Sequence, residues 1–171
     1  MSLILEGFMG CGKSAIGRRL ADRLGLAFID TDAEIERKQR CSISDIFSDS
    51  GEEAFRQMET SQLYSLELEG KEAVISLGGG TPMRDANMRV LKRLGKIIYL
   101  KASPGILLGR LAEEKDGRPM LAGYELKKRV ESLLEEREGR YLELADSVVE
   151  LSGADIDTEC LKVIRAYEEL K

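Results

Sequence analysis

Gly7-Phe8-Met9-Gly10-Cys11-Gly12-Lys13-Ser14 fits the phosphate-binding pattern Gly-x-x-x-x-Gly-Lys-Ser in full. Its setting decides the fold. Leu3–Gly7 reads as a strand entering the loop, and Ser14–Leu24 as the helix leaving it. Ile16, Leu20 and Leu24 stack four apart on that helix, and Gly25 is its stop. Working outward, Leu26–Asp30, Ala73–Leu77, Lys96–Leu100 and Ser147–Leu151 are further short runs that are apolar almost throughout. Strands buried on both faces of a parallel sheet look like that. Their alternation with helical patterns predicts a doubly wound α/β fold.

Two stretches interrupt the alternation. Between the second and third strands lie a charged helix (Ala33–Arg40), the short Ser42-Ile43-Ser44-Asp45-Ile46-Phe47 segment, and a longer helix opening at Ser50, with Ser50 and Glu53 as its capping box. Glu113–Gly123 is polar and glycine-bounded, and reads as a loop between two helices.

The chain has 171 residues, enough to hide about 70% of the unfolded surface in one core. Its net charge of −5 argues against nucleic acid as a partner. It has no histidine, so Ser-His and Cys-His chemistry are excluded. Cys11, Cys41 and Cys160 lack metal-ligand spacing and read as reduced thiols. With no basic leader and no long apolar run, the expectation is a cytoplasmic protein that does not enter membranes.

In the loop, glycines let backbone amides curl round an anion at a helix N-terminus. Lys13 would reach the β- and γ-phosphates and Ser14 would ligate Mg²⁺. The only asparagine, Asn87, lies outside any guanine-reading segment, which disfavours the switch GTPases. Asp30-Thr31-Asp32 ends the second strand, where ligands collect in open α/β sheets. On an extended chain both carboxylates point to one side, one for a metal and one for an acceptor; Asp32 as a helix N-cap is the equal alternative. Gly78-Gly79-Gly80 ends the third strand, either for close approach of a ligand or as a sharp turn. Arg137 falls on the inward stripe of its helix with Val130, Leu133, Leu134 and Tyr141, whereas Arg129 and Arg140 fall off it, toward solvent. Arg56 shares a face with Glu59, which taken alone is an ordinary surface ion pair. Arg118 is a loop charge that could close over a phosphoryl group or stay solvated.

Taken in order, GFMGCGKS, FIDTD, GEEAFRQME, SLGGGTP, RPML and REGRY resemble the shikimate kinases over almost the whole chain. The resemblance implies ATP-dependent phosphorylation of the 3-hydroxyl of shikimate, on the route to chorismate and the aromatic amino acids. It implies a three-layer α/β/α P-loop kinase fold with a five-stranded parallel sheet in the order 2-3-1-4-5. The chain would be one kinase domain over 1–171, a monomer, with a substrate-binding segment near 33–61 and a lid near 113–123. It implies that Gly10, Cys11, Gly12, Lys13, Ser14 and Ala15 hold the phosphates, with Ser14 and Asp30 at Mg²⁺. Asp32 would bind the shikimate hydroxyls and act as base, and Arg56 and Arg137 would clamp the carboxylate. Glu59 would orient Arg56, and Gly78, Gly79 and Gly80 would add backbone contacts. Arg118 would reach the phosphates from the lid, while Arg110 and the loop carrying Asp155 would flank the adenine. The rival readings are another small-molecule kinase of this fold, for gluconate or a nucleoside monophosphate, and a nucleotide-binding module without turnover.

Overall fold

The structure is a computed structural model, described here for residues 1–113 and 124–171. Five strands form one parallel sheet in the order β2-β3-β1-β4-β5. They are β1 (Ser2–Glu6), β2 (Ala27–Asp30), β3 (Ala73–Ser76), β4 (Gly95–Lys101) and β5 (Ser147–Glu150). Among the described residues seven α-helices connect and cover them: α1 (Lys13–Leu24), α2 (Thr31–Gln39), α3 (Ile43–Glu69), α4 (Asp85–Leu94), α5 (Pro104–Glu113), α6 (Tyr124–Leu144) and α7 (Ile156–Glu169).

The unbroken apolar strands are explained by two cores. Leu3 and Leu5 of β1 face a cluster built with Ile16 and Leu20 of α1 and Cys160 and Val163 of α7. Ile4, between them, faces a second cluster with Leu63 of α3, Val90 and Leu91 of α4 and Leu144 of α6. Successive strand side chains point to opposite faces, so a strand covered on both sides must be apolar at every position. Among the described residues no helix is long and apolar enough to cross a membrane.

The segment between β2 and β3 departs from expectation. The helix predicted from Ala33 begins at Thr31, directly at the end of β2. The helix predicted to open at Ser50 is present as the second of two helical segments that share the span Ile43–Glu69 and meet at a kink at Gly51 (φ 82°, ψ 168°). The capping box is made by Ser42 and Asp45, not by Ser50 and Glu53. Glu53 is instead drawn 2.6 Å from Arg84. The non-helical backbone at Gly51 kinks the element between two helical segments, and among the described residues the Ser50 side chain makes no capping hydrogen bond at the start of the second. The bend lets Ile46 and Phe55 close a small third core with Ile35 of α2.

Candidate active site

The phosphate loop joins β1 to α1, and Gly7, Gly10 and Gly12 all take positive φ. α1 has neither a side-chain cap nor an acid in its first turn. Its leading amides and positive dipole end are thereby left for an anion. Lys13 is buried, and its Nζ donates to the carbonyls of Gly7 (2.8 Å) and Phe8 (3.0 Å). Gly10, Gly12, Lys13, Ser14 and Ala15 line a cavity of about 610 Å³ that also reaches Asp30, Asp32 and Gly79. Cys11 is fully buried and does not line that cavity.

Asp30, and not Asp32, caps α2: its Oδ1 accepts from the amides of Asp32 (3.1 Å) and Ala33 (3.2 Å). Its Oδ2 accepts from the Ser14 hydroxyl at 2.5 Å. The same-side argument for an extended Asp30-Thr31-Asp32 fails, because the chain turns helical at Thr31. The two acids nevertheless converge on the cavity, through the turn rather than through strand alternation. Thr31 between them is buried, donating to the Ser76 carbonyl (3.3 Å) and accepting from the Gly78 amide (3.1 Å), which binds the acid turn to the glycine turn. Asp32 Oδ1 is buried without a hydrogen-bond partner. Burial, then the charges of Glu59 and Asp30, push the Asp32 carboxyl up to about 6, against Lys13 and Arg56. A hydroxyl and a carboxylate side by side are hard oxygen donors of the kind Mg²⁺ takes with phosphate and water. Among the described residues there is no cluster of three or more metal-ligating side chains.

The triple glycine serves both of its alternatives. It turns the chain, with the Thr81 amide on the Gly78 carbonyl (3.1 Å), and it leaves room for charged groups. A Cβ on Gly78 would lie 2.5 Å from Asp32 Oδ1 and 2.9 Å from Glu59 Oε1, and one on Gly80 would overlap the Arg56 guanidinium. Arg56 pairs with the exposed Glu52 at 3.1 Å, but its pair with Glu59 is not at the surface. It donates to Glu59 Oε2 at 2.8 Å, and Glu59 is only 1% exposed, held at Oε1 by the Thr81 hydroxyl (2.5 Å). Asn87 extends the network, donating to the Thr81 carbonyl (2.9 Å) and accepting from Thr60 (2.8 Å).

Arg137 is half-buried, with Nη1 3.6 Å from the place a Gly79 Cβ would take, and its Nε is buried without a partner. Tyr141, one turn on, donates to the Gly79 carbonyl at 2.5 Å and packs against the Tyr99 ring at 5.1 Å. Burial raises the Tyr141 hydroxyl pKa and the adjacent Arg137 charge opposes it. Arg140 is not free in solvent as expected: it donates to Asp85 (2.7 Å) and Glu143 (3.2 Å), pinning α6 to α4.

At the other flank, the Arg110 guanidinium donates to the Cys11 carbonyl and lines the cavity. The Asp155 carboxylate is spent on capping α7, on the Thr158 amide at 3.0 Å, while its neighbours Ala154 and Ile156 face the cavity. Arg118 and the lid expected over 113–123 fall on 114–123 almost entirely and so lie outside the described residues. Sequence reasoning missed Thr31, Thr81, Asn87 and Tyr141, whose polar groups hold the site from behind. Thr31 carried a signal, being enclosed by the two acids, and so did Tyr141, which lies on the inward stripe with Arg137. It also passed over Glu6, the last residue of β1, which is fully buried with both carboxyl oxygens unpartnered. Burial pushes Glu6 up to about 8, with the Lys92 charge the largest opposing influence.

Comparison with known proteins points to one family. Residues 9–168 match the family model described as shikimate kinase. A shikimate kinase of Caldanaerobacter subterraneus subsp. tengcongensis is 39% identical over 170 residues, covering 99% of this chain and 98% of the relative. Among solved structures, shikimate kinase from Acinetobacter baumannii in complex with shikimate superposes with a TM-score of 0.89 at 34% identity, covering 99% of this chain and 94% of that one. A gluconokinase from Sinorhizobium meliloti reaches a TM-score of 0.57 at 17% identity over 99% of this chain and 94% of its own, which shows a shared fold alone.

Proposed function

This chain belongs to the shikimate kinase family, and from that premise we propose how its own residues carry the reaction. It is an ATP:shikimate 3-phosphotransferase, a small-molecule kinase whose product enters chorismate and aromatic amino acid synthesis. One observation carries the assignment of residues. Asp32, Arg56, Glu59 and Arg137 converge on the Gly78–Gly80 turn, beside the phosphate loop. Two guanidiniums and one poised carboxylate suit an acceptor with a carboxylate and hydroxyls.

ATP phosphates lie on the amides of the loop and the first turn of α1. Lys13 exchanges its two carbonyl acceptors for phosphate oxygens. Ser14 and Asp30 would hold Mg²⁺, which supplies positive charge at the β- and γ-phosphates when bound. Arg56, oriented by Glu59, and Arg137 clamp the acceptor carboxylate, and the turn's backbone fixes its depth. Asp32 accepts the proton of the attacking hydroxyl. With its pKa raised to about 6, it remains mostly ionised at neutral pH and is a better base than a free carboxylate. Phosphoryl transfer passes through a loose transition state, so this positioning does most of the catalysis.

The chain would work as one kinase domain, one sheet carrying both halves of the site, and as a monomer. Three free thiols, two of them buried, fit a reducing cytoplasm. The test is ADP release with shikimate, gluconate, AMP and CMP as acceptors. Turnover with shikimate alone is expected; preference for another acceptor would overturn the reading.

A further inference from the structure

The cavity extends to the connection between β5 and α7, where Ala154, Ile156 and Glu159 meet Arg110 and Leu111. Glu159 lies in the first turn of α7 and is 1% exposed. Its Oε1 accepts from the Ser152 amide (2.8 Å), the Ser152 hydroxyl (3.1 Å) and the Ala154 amide (3.2 Å). Its Oε2 lies 2.8 Å from Lys162 Nζ. Burial pushes this carboxyl up, but Lys162 and the Ser152 donors outweigh it and keep it ionised. Hydrogen bonds to an ionised acceptor are about twice as strong as neutral ones, so one side chain holds the connection in a single shape.

That shape has a chemical consequence. The amides of Ser152 and Ala154 are turned onto Glu159, and among the described residues no hydrogen bond reaches the carbonyl oxygens of Ser152, Gly153 or Ala154. At Ala154, the one of the three that lines the cavity, the backbone donor is withdrawn and the carbonyl is spare, and such an edge favours a ring bearing an amino group. It penalises a ring that presents a carbonyl in the same place.

We propose that Glu159 is a positioning residue for the nucleotide base: by drawing the Ser152 and Ala154 amides onto its carboxylate it shapes the wall of the base site and biases it toward a 6-amino over a 6-oxo purine. The proposal rests on the reading of the phosphate loop as an ATP site. It concerns a side chain that holds other groups and takes no part in the transfer.

The experiment compares the full chain with Glu159→Ala and Glu159→Gln, varying ATP, ITP and shikimate in steady-state turnover. Glu159→Ala is expected to raise KM for ATP by about tenfold, to leave KM for shikimate within about twofold, and to shrink the ATP-to-ITP ratio of kcat/KM several-fold. Glu159→Gln keeps a carbonyl acceptor and recovers part of each loss. Parallel movement of both KM values, or an unmoved ATP-to-ITP ratio, would overturn the proposal. Thermal melts establish that the variants are folded; if the alanine variant is not, the glutamine variant decides by the same ratio. If the unaltered chain shows no shikimate-dependent turnover, the functional reading fails. Equilibrium binding of ATP and ITP to the same proteins then still decides the role of Glu159.

Discussion

The phosphate loop takes its shape from three positive-φ glycines and from a lysine folded onto two carbonyls, all within eight consecutive residues. The acceptor wall is made instead of side chains from α2, α3 and α6 that meet at one glycine turn. The first presents backbone donors to an anion of any origin. The second presents a specific arrangement: Arg56 already bonded to Glu59, with Arg137 Nε and Asp32 Oδ1 buried and unpartnered. On the proposed assignment, donor recognition is local and general, while acceptor recognition is distributed and specific. Substitutions on the two sides should therefore separate nucleotide effects from shikimate effects.

The largest expected effect is at the junction of the two halves. Asp32→Asn should lower turnover by about 10²- to 10⁴-fold, the usual contribution of a positioned base. Unchanged circular dichroism would show that the fold is kept. Turnover near that of the unaltered chain would break the assignment.

Glu6 comes next, a charge-bearing group under the donor loop that the eight-residue pattern does not show. Folding raises its pKa from the ordinary 4.5 to about 8, so the folded state holds a proton that the unfolded chain releases. The stability linked to this group is complete below pH 4.5 and is lost as pH rises toward 8. By pH 7 the loss is about 3 kcal/mol. Glu6→Gln removes that dependence. Its stability relative to the unaltered chain, measured by denaturant unfolding, should grow by about 3 kcal/mol between pH 4.5 and 7. A difference that stays constant with pH would show that Glu6 is not held neutral.

Arg137→Ala sharpens the comparison most directly. It should raise KM for shikimate by about tenfold to a hundredfold and leave KM for ATP within about twofold. Equal losses for both substrates would mean that the halves are not independent. The smallest effect concerns the segment leading into the acceptor wall. Ser42→Ala removes the observed cap of α3 and should cost about 1 kcal/mol in thermal or denaturant unfolding, whereas Ser50→Ala should cost almost nothing.

The readings that succeeded from sequence and those that did not divide along the same line. The phosphate loop and the five strands were legible because they are local: an eight-residue pattern and short runs of apolar side chains. Arg137 was legible because helical periodicity turned it inward. The cap of α2 was left undecided between neighbouring acids, because Asp30 and Asp32 differ only in where the strand stops and the helix starts. The Ser50 box failed although a helical segment does begin past Gly51, because Glu53 is taken by Arg84 and the box that forms is the one between Ser42 and Asp45. Glu59, taken alone as half of a surface ion pair, is buried because Thr81 and the triple glycine close over it.

By itself, the sequence determined the parallel sheet, the anion-binding loop, the absence of histidine chemistry and the supply of arginines for an acidic acceptor. These follow from residue type and short-range spacing, which survive without any knowledge of contacts. The tertiary structure alone decided that Asp30 joins Ser14, that Glu59 stands between Arg56 and Thr81, and that Glu159 holds the 151–155 connection. It also decided that Glu6 is buried without a partner. Each of these depends on which groups desolvate one another across long sequence separations, and burial of that kind is a property of the packed fold.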